Sequence, residues 1–80
     1  MNILNFGTKN FLFIDQDTTQ LDYDYVSFME NNGDVLIARY TKDGNSARYY
    51  VANGDYDTIW LGRLGYTYAL PSIIDATSRE

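Results

Sequence analysis

The sequence has no cysteine and no histidine among its 80 residues. The first absence excludes disulfides and thiolate metal sites. The second removes the commonest metal ligand, general base and pH switch. There is a single proline, and no stretch approaches the ~18 apolar residues that a membrane span needs. The segment 1–8 lacks the basic region and apolar run of a secretory leader, so a cytoplasmic location without a membrane partner is expected. A chain this short, without staples, folds on packing alone or is completed by a partner, because burial and chain entropy nearly cancel at this size. One domain over 1–80 is expected, and a homodimer is a live alternative to a monomer.

What is present is apolar and aromatic. Hydrophobic residues make up 45% of the chain and aromatic residues 16%, too much of either for a disordered chain. Eight tyrosines stand against four phenylalanines and one tryptophan. Tyrosine tolerates partial exposure and is enriched at interfaces, and so small a core is not expected to hide all eight. Phe28 and Trp60 are expected in the core.

The net charge is −5, and its distribution is uneven. Residues 1–34 hold six acids (Asp15, Asp17, Asp22, Asp24, Glu30 and Asp34) against Lys9 alone. Residues 35–80 hold five acids and five bases. A one-signed patch repels phosphate backbones and attracts basic surfaces.

Along the chain, Ile3–Phe6 and Phe11–Ile14 read as a hairpin joined by four residues, and 15–22 reads as a polar loop. Asn32-Gly33 is a strong hairpin signal; taken as a two-residue type I′ turn, it sets Met29 opposite Leu36, Ser27 opposite Ala38 and Tyr25 opposite Tyr40. At Asp43-Gly44-Asn45 two registers compete. The one that opposes Arg39 to Arg48 is disfavoured by like charge; the other, with Tyr40 opposite Tyr49, is preferred. The result is a three-stranded meander over about 24–31, 34–42 and 46–52. The period then changes. Tyr56, Ile59, Trp60 and Leu64 form a helical stripe, which Asp55 caps at its start and Gly65 follows at its end; Gly62 inside it costs about 1 kcal/mol. A strand at 57–61 is the rival reading. A last strand over 66–70 and a short helix over 72–78, opened by Pro71, complete an α+β fold: a small twisted antiparallel sheet with one or two short helices. An all-β barrel is the alternative.

Few residues offer chemistry. Asp15-x-Asp17 and Asp22-x-Asp24 place carboxylates on one face of a strand, but the calcium-loop pattern fails at Thr19, Gln20 and Val26. Ser27, Ser46, Ser72 and Ser78 have no histidine base and no nucleophile elbow. Gly62-Arg63-Leu64-Gly65 has no following helix to build an anion site. No enzyme, no cofactor and no metal site is expected. Arg39, Arg48 and Arg63 lie among Tyr40, Tyr49, Tyr50 and Trp60, a pattern able to stack single-stranded nucleic acid.

Tiny, acidic, free of Cys and His, and rich in Tyr and Asn, the chain resembles in composition the small inhibitors encoded by phages and mobile elements, anti-CRISPR and anti-restriction proteins among them. The favoured expectation is a non-enzymatic inhibitor that occupies a basic groove on a larger nucleic-acid-binding protein by nucleic-acid mimicry. Asp15, Asp17, Asp22, Asp24, Glu30 and Asp34 would supply the charge, and Tyr23 and Tyr25 the buried anchors. Direct nucleic-acid binding is the weaker reading. A homo-oligomeric assembly module built on the tyrosine-rich sheet is the other alternative.

Overall fold

The structure is a computed structural model that describes residues 3–6 and 9–70, with side chains from Asn10 onward. Five strands follow one another in chain order and pair antiparallel with their sequence neighbours: β1 (Ile3–Phe6), β2 (Lys9–Asp17), β3 (Tyr23–Met29), β4 (Asp34–Thr41) and β5 (Ala47–Asn53). Among the described residues a single helix, α1 (Tyr56–Leu61), and a 3-10 turn over 63–65 follow. The sheet is open among the described residues, so the barrel alternative is not formed. The helix expected over 72–78 lies outside the described residues. No described helix is long and apolar enough to cross a membrane.

β4 is the centre of the sheet. Val35, Leu36, Ile37 and Ala38 are consecutive and fully buried, the continuous apolar run of a strand covered on both faces. One face gathers Phe11, Phe28, Leu36 and Ala38, with Val26, Tyr40 and Tyr49 packed against them. The other carries Tyr25, Val35 and Ile37 under Ile59 of α1 and Tyr68.

Both hairpin registers differ from those read in the sequence. β3 pairs with β4 as Met29↔Val35, Phe28↔Leu36, Ser27↔Ile37 and Tyr25↔Arg39, one residue away from the expected pairing. The loop has three residues rather than two: Gly33 N donates to Glu30 O at 2.9 Å, Glu30 N donates to Asp34 O at 3.0 Å, and Gly33 takes the positive φ (+93°). A one-residue slip exchanges the faces that two strands share. Phe28 and Leu36 therefore meet on one side, and Ser27 and Ile37 on the other. β4 and β5 adopt the register disfavoured above, with Arg39 opposite Arg48. That register also sets Ile37 opposite Tyr50 and Leu36 opposite Val51, whereas the alternative would have set Asn53 opposite the fully buried Leu36.

The polar stretch after Phe13 is partly strand. β2 begins at Lys9, which pairs with Phe6, and runs on to Asp17. Its pairing with β3 shifts between Phe13 and Asp15, from Phe13↔Phe28 to Asp15↔Ser27. This bulge leaves Phe13 edge-on to Phe28, ring centroids 6.2 Å apart, and carries Asp15 and Asp17 to the helix side. α1 starts where expected, with the Asp55 carboxylate accepting from Thr58 N at 2.9 Å. It stops at Gly62 instead of running to Leu64. A Cβ at Gly62 would lie 2.6 Å from the Tyr66 hydroxyl, which donates to Ile59 O at 2.8 Å. Residues 66–70 form no strand. They touch β5 through one bridge, Tyr49 and Ala69 exchanging backbone hydrogen bonds of 2.8 and 3.0 Å.

The tyrosines are a layer of the core rather than surface anchors. None of the eight is exposed; Tyr25 and Tyr68 are buried and the other six half-buried. On the helix face, Tyr50 stacks on Tyr66 at 3.9 Å and meets Tyr68 at 6.1 Å. Their hydroxyls find partners: Tyr68 donates to Arg63 O at 2.7 Å, and Tyr56 meets Ser27 Oγ at 2.7 Å. Ser27 Oγ donates its one proton to Asp15 O at 3.2 Å, so Tyr56 is the donor in that pair.

Candidate functional site

The six acids of the first half do not form one patch. Glu30 and Asp34 flank the β3–β4 turn, whereas Asp24 lies at the far end of β3, about 20 Å away at the rise of an extended strand. Several are engaged within the chain. Asp24 pairs with Lys42 Nζ at 2.5 Å, and Lys42 also donates to Thr18 O. Asp34 accepts from Asn53 Nδ2 at 2.9 Å, and Glu30 accepts from Asn32 N at 3.3 Å. Asp15 and Asp22 are exposed.

Asp17 is the most committed. Only 8% exposed, it accepts from Thr19 N and Oγ1, from Gln20 Nε2 and from Arg63. The bond to Thr19 N is the local turn that Asp makes two residues on. Arg63 reaches back from beyond α1: its Nε and Nη2 lie 3.1 and 2.9 Å from Asp17 Oδ2, and its Nη1 donates to Trp60 O at 2.8 Å. Its guanidinium also lies over the Trp60 ring at 4.3 Å. The Thr19, Gln20 and Arg63 hydrogen bonds together hold the Asp17 carboxyl well below the usual carboxylate range, against the opposing effect of burial. This corner fastens the end of α1 to β2.

The two expected anchors are both drawn inward. Tyr25 is buried, which pushes its hydroxyl above the ordinary tyrosine value. Tyr23 is half-buried, its ring lying under the Arg39 guanidinium at 4.2 Å; Tyr68 lies on that same cation at 4.8 Å. The basic-aromatic set divides between the two faces. Arg39, Arg48 and Tyr50 share the helix side, whereas Tyr40 and Tyr49 belong to the Phe28 side.

A cleft of about 400 Å³ opens beside Arg39, with Leu21, Asp22, Tyr23, Tyr25 and Leu64 among its walls. Leu21 is 93% exposed and Leu64 59%. Arg39 differs from the other described arginines. Arg63 has Asp17, and Arg48 donates to Ser46 Oγ and Ala47 O, each at 3.1 Å. Arg39 Nε is buried with no hydrogen-bond partner among the described residues. The sequence signal for this site was the opposition of Arg39 to Arg48, which counted against the register instead of pointing to a site.

Comparison of the chain with protein-family models, with curated proteins and with solved structures finds no match, so a functional reading rests on this geometry alone.

Proposed function

We propose that the protein is a non-enzymatic binding module that docks its acidic surface on a basic, nucleic-acid-binding groove of a larger protein and blocks it. The observation that supports this reading is the balance of exposed charge: five described acids are exposed, and of the described cations only Lys42 is. Arg39, Arg48 and Arg63 are half-buried and lie on rings, carbonyls or an internal carboxylate, and Lys42 is tied to Asp24. Asp15, Asp22, Asp43, Asp55 and Asp57 face solvent. A surface on which exposed acids outnumber exposed cations repels nucleic acid and steers toward basic partners. Inhibition by nucleic-acid mimicry, of the kind found in anti-CRISPR and anti-restriction proteins, uses such a surface.

The test is a nuclease-treated pull-down with the full chain at low and moderate salt, repeated with Asp15→Asn/Asp22→Asn. Both side chains are exposed, so the variant reads binding rather than folding. Capture of a nucleic-acid-binding protein that weakens with salt and with the double substitution is the expected result. Capture indifferent to both would remove charge as the basis of docking.

A second reading has its own observation. Leu12, Phe13 and Ile14 are 49%, 38% and 43% exposed in succession on β2, Leu12 and Phe13 on opposite faces of the sheet. A homodimer through this strand predicts concentration-dependent sedimentation that Phe13→Asp abolishes.

A further inference from the structure

We propose that the cleft beside Arg39 is a binding site for a single carboxylate carried on an apolar or aromatic group. The inference stands apart from the docking reading, since it concerns an anion held by a cation rather than a basic partner held by acids.

Three observations carry it. The first is the state of the guanidinium. Arg39 offers five donors in a planar fork; its buried Nε has no hydrogen-bond partner among the described residues, and the guanidinium lies on the faces of Tyr23 and Tyr68. Two rings fix the plane of the fork but satisfy none of its N–H groups. The second is the register. Arg48 stands directly opposite Arg39 across β4 and β5, its guanidinium turned to Ser46 Oγ and Ala47 O, and no carboxylate is paired to either arginine among the described residues. A carboxylate brought to Arg39 would supply the paired counter-charge that no described residue gives it. The third is the shape of the space. The cleft is walled by the Tyr23 and Tyr25 rings and by Leu21 and Leu64, the last two exposed and unused by the core. Gln20 and Asp22 line it as well, and a concave site that joins apolar walls to a few convergent polar groups is how small-ligand sites are built.

The ligand class follows from these walls. A planar guanidinium matches a carboxylate through two parallel N–H···O bonds. Asp22, which also lines the cleft, disfavours a doubly charged phosphate. The leucines and tyrosines would take the apolar body. The carboxylate can come from a free small acid or from the end of a peptide chain.

The experiment titrates the full chain with phenylacetate, with phenylacetamide, with inorganic phosphate, and with a short peptide ending in phenylalanine as its free acid or its amide. Backbone amide shifts at 20–25, 39 and 64 and the thermal midpoint are followed. The expected result is saturable shifts with phenylacetate or the free-acid peptide and none with either amide. Tighter binding of the peptide acid assigns the site to a chain terminus, and tighter binding of phenylacetate to a small molecule. Arg39→Lys keeps the charge and loses the fork, and weakens binding by about tenfold or more. Leu21→Asp alters a side chain that the core does not use, so it folds whether or not an Arg39 variant does, and it weakens binding by repulsion. No shift through the millimolar range, equal response to acid and amide, preference for phosphate, or indifference to both substitutions would overturn the proposal.

Discussion

Arg63 and Arg39 both belong to the helix side of the same small protein, and each lies about 4 Å over an aromatic ring. There the likeness ends. Arg63 is satisfied on every side: Asp17, the Trp60 carbonyl and the Trp60 ring. Arg39 lies on rings, and its buried Nε has no hydrogen-bond partner among the described residues. Ring stacking alone does not separate a structural cation from an available one; the hydrogen-bond inventory does. An arginine with a paired carboxylate is part of the frame, whereas one that lines a cleft without a carboxylate partner is an unfilled half of an interaction.

That contrast can be broken by substitution. Asp17→Ala or Arg63→Met leaves one member of a largely buried pair alone, and is expected to cost about 3 kcal/mol in urea unfolding. The same pair sets the acid limb of stability. The folded Asp17 carboxyl is held below its unfolded value of about 3.9. Its contribution is therefore complete above that value and is lost as the pH falls below about 4, where the unfolded chain takes up a proton that the folded one resists. Asp17→Asn should flatten that part of the stability–pH profile, and a profile as steep as that of the unsubstituted chain would place the acid sensitivity elsewhere. A smaller effect belongs to Tyr56→Phe, which removes the donor to Ser27 Oγ while leaving the bond from Ser27 to Asp15 O; about 1 kcal/mol is expected. The smallest is Arg39→Met. It should change stability by less than about 1 kcal/mol, because no ion pair is lost and the opposition to Arg48 is relieved. If Arg39→Met costs as much as Arg63→Met, the two arginines are alike after all and Arg39 is structural.

The meander was legible in the sequence where the signals were local. Asn32-Gly33 marked its turn, Asp43-Gly44-Asn45 the next, and Asp55 the start of α1. The registers were not, for two physical reasons. A glycine of positive φ serves a two-residue turn or the third position of a three-residue loop equally well, and one residue decides which faces meet. The opposition of Arg39 and Arg48 costs too little, under about 1 kcal/mol, to outweigh setting Tyr50 against Ile37 and keeping Asn53 away from Leu36. The site suffered from the same distance. Asp17 read as one more acid of a charged stretch, because Arg63, its partner, stands 46 residues further on. The bulge that turns Asp17 toward it leaves no mark in the residues 13–15.

That 46-residue separation also has a meaning in time. Every strand pairs with its neighbour in sequence, so the hairpins close short loops, a local topology that favours rapid folding. The ion pair between Asp17 and Arg63 spans 46 residues and is expected to form late, when α1 folds back over the sheet. Its loss should accelerate unfolding and leave the folding rate nearly unchanged. On that expectation the latch at this corner governs how long the native protein lasts rather than how quickly it forms.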